Sequence, residues 1–514
     1  MQNLLDNLLR LDASDDLAGI HDFVVKNRYS SEQVFHVLQI LLLNGRIGAA
    51  YVLALILDNT GAKHSHISLA LCAGGLLRGK PEDEERGKKM LWMQTDAQAE
   101  AQQQVVNRTL LPPVMVRLLN AVLPRSETAL VIRVIEIAKA AAPVFRRLYD
   151  WDAPVPTLTS EEMRQRGRSQ ARLLNNPLPP SGVPRVRRRV LMTIPQQRAM
   201  GLRLVVAMNS YGWQAEICPL TLTDAGAADD CRAIAEMCRQ KDVDILFFDA
   251  HQLVLFENGL KAYCEMVAQL RQEKPTIKAV AIFYDSIPSA KRETLEMMAK
   301  NLDAVMSHLS LDSFVARNEH YAVFAGKMMQ AFLIPCIDSN CGISDKPLVP
   351  RPLFSGTICS GHWTRVFWLK AAAHVGLTID ARINAFSYDN PVYKKSPLDD
   401  YAFYMKGLAD ATCCLNMIML DSQERYLVAR SFEIPFVGSL LIQEYSEQMH
   451  NYYIPGEHYL EYSTISELVG IMRFISENTE EAEEIRRSGN AFAREHYSDI
   501  KIAGQFDKFL YYPD

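Results

Sequence analysis

Arg430 to Ile442 read RSFEIPFVGSLLI, and this stretch passes from a charged helix end, through a turn closing at Gly438, into an apolar strand. Arg430 and Glu433 stand just ahead of the turn. In an open α/β sheet, ligands sit beyond the carboxyl ends of the strands, where helix termini and glycine turns bring backbone N–H groups close to them. Arginine grips phosphate through a planar fork, and a carboxylate accepts vicinal hydroxyls. The stretch therefore reads as an address for a polar, phosphorylated ligand. A plainer alternative pairs Arg430 with Glu433 across one helical turn.

The flanking sequence supplies the sheets that such an address needs. From Val186, the segments VLMTIP, AEICPL, DILFFDA, KAVAIFYD, DAVMSHL and QAFLIPC alternate with helical patterns. After SDKPLVPRP a second series follows: LFSGTI, LTIDARI, ATCCLNMIM and FVGSLLI. Alternation of this kind builds parallel sheets covered by helices on both faces. The expected fold class is α/β, with two Rossmann-like doubly wound domains facing across a cleft, at 185–345 and 346–514. An all-helical region at 1–150 precedes them. Between lies a Pro- and Arg-rich linker at 151–184, whose composition buries little apolar surface.

The helical region contains SEQVFHVLQILLLN, RIGAAYVLALILDNTG and SHISLALCAGGLLRG. Gly45 and Gly79 end two of its helices at the period of tetratricopeptide-type pairs, although the aromatic signature of that repeat is missing, and an irregular bundle is the equal alternative. PEDEERGKK reads as a solvated helix face with acids at its start and bases further on.

The chain has 514 residues, 48% hydrophobic and 22% charged, with a formal net charge of −5. That balance argues against a nucleic-acid or anionic-membrane binder. The start MQNLLDNLLRLDASDDL lacks the basic and apolar regions of a leader, and no apolar run reaches membrane-span length. The ten cysteines show no CxxC spacing. They read as reduced core residues of a cytoplasmic protein with no metal site.

Several further residues fall where cleft chemistry belongs. LFSGTI runs through CSGHWTR into a helix, placing Gly356 where small size permits close approach and Arg365 where a cation meets phosphate. Tyr388 lies in a polar loop suited to stacking on a base, and Asn416 closes the strand ATCCLN. In the first α/β domain, Asp249, His251 and Asp285 follow strand ends and are the candidates for a general base. No GxGxxG follows the first strand and no DxD ends an apolar strand, which points away from a classical NAD site and toward metal-independent chemistry.

RSFEIPFVG, then LLI, the loop PGEHYLEYSTISELVGIM and the helix EEAEEIRRSGNAFAREHYS together resemble the C-terminal half of GT-B glycosyltransferases, specifically the spore-maturation-protein-like group. The resemblance runs from about Phe354 to Tyr497. It implies a nucleotide-diphosphate sugar as donor substrate rather than a resident cofactor, and a protein or glycan acceptor bound between the domains. It further implies that Glu433 holds ribose or sugar hydroxyls, that Arg430 sits near the diphosphate, and that Arg365 helps neutralise the leaving group. Many retaining GT-B enzymes carry a second glutamate eight residues before the one at Glu433; here that position is Arg425, next to Glu424. Two other classes stay open: a sugar-nucleotide epimerase, and a non-catalytic nucleotide-binding scaffold. The N-terminal helices would bind the acceptor or a partner, or join copies of the chain into a homo-oligomer.

Overall fold

The computed structural model describes residues 2–60, 64–92, 110–123, 128–168, 186–193, 199–218, 226–255, 257–283, 287, 289–307, 309–330, 346–357, 363–384, 397–418, 425 and 427–512. The N-terminal region is helical, from Gln2–Ala13 to Ser160–Arg168. Its helices start and stop where the sequence signals them. Ser30 and Gln33 form a reciprocal capping box ahead of Ser31–Leu43, satisfying two otherwise orphaned N–H groups. Gly45 and Gly79 both take φ of 63° just past helix ends, a conformation that costs glycine little.

The helix Pro81–Trp92 departs from the expected solvated face. Glu84 is 2% exposed and pairs with Arg133 and with Lys88. A Cβ on Gly87 would lie 2.6 Å from the Ser68 carbonyl oxygen. Pro81–Trp92 and Ser65–Arg78 therefore pack backbone to backbone, and this burial draws Glu84 inward to a partner on Thr128–Ala141.

The stretch after Trp151 is also more structured than its composition suggests. Ser160–Arg168 is a helix, and Leu158 and Met163 are buried. Arg166 pairs with Glu467 and Asp150 accepts from Ser466 N and Oγ. These bonds carry the chain along the second α/β unit before it enters the first.

Two parallel sheets follow. The first contains β1 (Arg189–Thr193), β2 (Gln214–Ile217), β3 (Ile245–Asp249), β4 (Lys278–Phe283), β5 (Ala304–Ser307) and β6 (Met328–Gln330), in the order β2-β1-β3-β4-β5-β6. The second contains β7 (Leu353–Thr357), β8 (Asp380–Asn384), β9 (Cys413–Asn416), β10 (Leu440–Glu444) and β11 (Leu460–Tyr462), in the order β11-β10-β9-β7-β8. Every pairing is parallel. The interior strands β3, β9 and β10 are buried along their whole length, as sheets covered on both faces require. All-helical region and two Rossmann-like sheets are the architecture the sequence implied. One detail differs: β11 lies in a segment read as a loop; of the expected strand QAFLIPC only Gln330 is described, at the end of β6, and the rest lies outside the described residues.

Three cores join these layers. One runs without a break from the N-terminal helices to one face of the second sheet, through Phe145, Tyr149, Trp363, Phe367 and Trp368. A second joins the opposite face of that sheet to the first sheet, and Phe506 on the last helix, Asp499–Tyr511, supplies its bridge by packing against Trp213 and Phe247. The third covers the far side of the first sheet.

Because helices and second sheet share one core, Phe145→Ala is expected to cost about 3–5 kcal/mol. Denaturant unfolding should show both regions melting in a single transition. Acid should destabilise the fold as well. Burial and the neighbouring His496 push His458 down to about 4, and burial with His64 pushes His66 to about 4, against 6.5 for a free histidine. Between those values the unfolded chain binds more protons, so stability falls as pH drops through the window. His458→Gln should flatten part of that slope in urea midpoints measured from pH 7 to pH 4.

Candidate active site at the switch point of the second sheet

The order β11-β10-β9-β7-β8 changes direction between β7 and β9, the place where open α/β sheets form a ligand crevice. Here the two strands pair only at Leu353 with Cys414 and Phe354 with Leu415, then separate. Ser355, Gly356 and Thr357 continue one arm of the fork, and Asn416 the other.

Arg430 fills the fork. It is the first residue of the helix Arg430–Phe436. Its Nη1 donates to the Ser355 carbonyl at 2.7 Å and its Nε to Asn416 Oδ1 at 3.1 Å. The guanidinium carbon lies 5.9 Å from the Phe354 ring centre. Gly356 makes room for it: a Cβ there would sit 2.7 Å from Arg430 Nη1 and 3.2 Å from Phe354 Cζ.

Asn416 is fully buried and anchors a polar network beneath the fork. Its Nδ2 donates to Gln443 Oε1 at 2.8 Å and to Ser431 Oγ at 3.1 Å, Ser431 Oγ donates to Gln443 Oε1 at 3.0 Å, and Tyr462 Oη donates to the Asn416 carbonyl at 3.2 Å. Such a network, satisfied in low dielectric, fixes its members tightly.

Glu433 lies on the same short helix and is 2% exposed. Tyr404 Oη donates to its Oε2 at 2.9 Å. The described partners of Arg430 and Glu433 thus diverge, one toward the strand fork and the other toward the helix Pro397–Asp410. Gly438, at φ 79°, ends the turn. Arg486 Nη1 donates to its carbonyl at 2.6 Å, and Asn490 Nδ2 donates to the carbonyls of Pro435 and Phe436. The helix Thr479–His496 therefore clamps the turn from behind.

The remaining candidates belong to other elements. Arg365 is 5% exposed in Trp363–His374, the helix that packs on the N-terminal region. Asp249 is 1% exposed at the carboxyl end of β3. His251 falls in Ala250–Leu255, with its side chain outside the described set. Asp285 and Tyr388 lie outside the described residues, as does Glu424. Arg425 Nε is 3.5 Å from Glu444 Oε1, and fully buried Glu444 accepts from Ile418 N at 2.9 Å.

Sequence reasoning missed Tyr404, Ser431, Gln443 and Glu444. For the last two a signal existed, since a pair of polar residues closes the apolar strand LLI at its carboxyl end. Among the described residues no group of three or more histidine, cysteine, aspartate or glutamate side chains is arranged to hold a metal. Among them, too, no helix is long and apolar enough to cross a membrane.

The fork combines a guanidinium, a glycine allowing close approach, and a buried carboxylate one helical turn away. Residues 365–506 match a family model described as glycosyl transferase-like. That segment runs from the first helix of the second sheet into the last helix of the chain. Among curated proteins, none matches. Of solved structures, HepE from Anabaena in complex with UDP and glucose aligns at 10% identity over 63% of this chain and 99% of its own, with a TM-score of 0.42. Sucrose-phosphate synthase from Thermosynechococcus elongatus aligns at 13% identity over 62% and 98%, with a TM-score of 0.41. An O-GlcNAc transferase mutant from Thermobaculum terrenum aligns at 14% identity over 99% of this chain and 96% of its own, with a TM-score of 0.36.

Asn416→Ala removes the acceptor for Arg430 Nε and the donor for Gln443. It should destabilise the chain by about 1–3 kcal/mol, the cost of stranding buried polar groups. Chemical denaturation of the variant beside the parent protein checks this.

Proposed function

We propose that the chain is a glycosyltransferase of GT-B type, moving a sugar from a nucleoside-diphosphate donor to a protein or glycan acceptor held between the two α/β domains. The observation that carries the reading is Arg430 spanning β7 and β9 at the switch point, beside Gly356 and one turn ahead of Glu433, with Arg430 and Glu433 inside residues 365–506, which match the glycosyl transferase-like model. Glu433 accepts the hydroxyls of the ribose. Arg430 already supplies two of its five N–H donors to the protein, and it offers its charge to the diphosphate. Gly356 admits the phosphates, Gly438 sets the turn, Asn416 holds Arg430 in place, and Arg365 strengthens the positive field from behind. Tyr388 stacks on the base.

Departure of a nucleoside diphosphate needs fixed positive charge where the leaving group develops its own. In this reading arginines and backbone N–H groups supply it, without a metal ion. Asp249, His251 and Asp285, beyond the strand ends of the first sheet, are the candidates for deprotonating the acceptor. Arg425 beside buried Glu444 takes the place of a second carboxylate, so the donor sugar meets a guanidinium there. The N-terminal helices, fused to the back of the second sheet, leave their outer surface for the acceptor, a partner or a second copy. We place the protein in the cytoplasm on its scattered cysteines without CxxC spacing, and in the spore-maturation-like subgroup on the motif from Arg430 to Ile442. Helices of this extent are not expected of an epimerase, whereas a scaffold would bind nucleotide without turnover.

The test is incubation of the full chain with UDP-, GDP-, CMP- and TDP-linked sugars and analysis of the products. Release of free sugar or transfer to an acceptor supports the enzyme, and tight binding without turnover on any acceptor favours the scaffold. Glu433→Ala should weaken nucleotide binding at least tenfold in calorimetric titrations, since hydrogen bonds to a charged group are worth about 1.5–3 kcal/mol. Wild-type affinity in that variant would remove the assignment.

A further inference from the structure

We infer that Tyr404 is a positioning residue for the ligand carboxylate: its hydroxyl holds Glu433 in the one orientation that can accept a ribose diol. The inference rests on the nucleotide-site reading above and adds a residue that neither the motif nor the family segment singles out.

Glu433 sits on a helix of seven residues, Arg430–Phe436, that ends at an internal proline and a left-handed glycine. Its backbone is fixed by the clamp from Arg486 and Asn490, but those bonds end on carbonyls of the turn and do not reach the carboxylate. A glutamate has three side-chain torsions, the last of them broad. Binding two vicinal hydroxyls demands one setting of all three. Tyr404 Oη, 2.9 Å from Glu433 Oε2, supplies a directional tether to one oxygen. The bond joins a half-buried phenol to a buried carboxylate, and a hydrogen bond to a charged acceptor there is strong.

The tether has a firm origin. Tyr404 is half-buried on Pro397–Asp410, whose Met405 and Leu408 are fully buried in the core that also holds Phe432 and Ile434, the neighbours of Glu433. Leu408 and Ala411 carbonyls accept from Ser439 Oγ, locking that helix to the turn before β10. The same helix packs on Ala199–Tyr211 of the first α/β unit. Tyr404 therefore reaches Glu433 from an element braced on both α/β units. A phenol is suited to the task because its ring packs in the core while its hydroxyl donates at the edge.

A positioning role predicts a loss confined to ligands that carry the diol. Calorimetric titrations of the full chain with UDP, GDP and ADP, and with their 2′,3′-dideoxy forms, give for each protein a ribose preference, the ratio of the two affinities. Tyr404→Phe keeps the ring and its packing. It is expected to lower ribonucleotide affinity about five- to tenfold, to leave dideoxynucleotide affinity within twofold of the parent, and to lower the thermal midpoint by no more than the loss of one hydrogen bond to a buried carboxylate entails. Glu433→Ala, run in parallel, should abolish the preference. If Glu433→Ala abolishes it and Tyr404→Phe retains it in full, the inference is overturned while the nucleotide site stands. Equal losses for both ligand forms in Tyr404→Phe also overturn it, since they mark a general structural effect. If Glu433→Ala binds every nucleotide as the parent does, or the parent binds none, the nucleotide-site reading itself falls and takes the inference with it.

Discussion

The second α/β unit depends on a guanidinium placed between two diverging strand ends. β7 and β9 share two paired positions and then part, with the Ser355 carbonyl on one arm and the Asn416 side-chain oxygen on the other. Arg430 satisfies both at once. Its charge sits at the first turn of a helix, the end where the backbone dipole disfavours a cation, so the bonds to Ser355 and Asn416 must outweigh that cost for the geometry to persist. This explains why the surroundings are so constrained. Position 356 has no space for a methyl group while Arg430 stays where it is, and Asn416 must present its oxygen to Arg430 and its nitrogen to Gln443.

Placement of the N-terminal helices follows a separate logic. Their apolar faces merge with Trp363, Phe367 and Trp368 on one side of the second sheet, and Asp150 and Arg166 add polar ties to Ser466 and Glu467. A region joined through a single continuous core does not behave as a mobile arm, because separating it would expose several aromatic side chains of 150–250 Å2 each. The opposite side of the sheet is tied to the first α/β unit by the last helix, through Phe506 and the bond from Tyr211 to Asp507. The second sheet is thus held from both faces.

How much of this was legible in the sequence depended on how local each cause is. RSFEIPFVGSLLI announces its helix, turn and strand because charge, glycine and an apolar run follow one another within a few residues. Arg430, Asn416 and Gly356 were each recognisable at the end of an element, but their meeting requires the strand order, which no local pattern encodes. β11 escaped because Leu460–Tyr462 is three residues long, too short for an alternation to show. Glu84 was misjudged for a similar reason: its partner Arg133 lies far along the chain, and its charge pattern alone resembles a solvated face. Tyr404 gave no signal, since a tyrosine on an amphipathic helix reads as packing.

In the proposed site, Arg430 is a brace of the strand fork and a ligand group in one side chain. Guanidinium is weakly hydrated and presents its donors in a rigid plane, so fixing Nε and one Nη determines where the rest of the fork points. A side chain tied in this way loses no further torsional freedom when a phosphate arrives, and the entropy of ordering it has already been met in folding. A lysine in the same position would offer a point charge on a flexible stem and could not bridge Ser355 and Asn416 while holding a defined direction. In the proposed nucleotide site, the bonds that confine Arg430 within the protein give direction to its donation to an anion, and the same reasoning applies to Glu433, whose carboxylate is tethered to Tyr404.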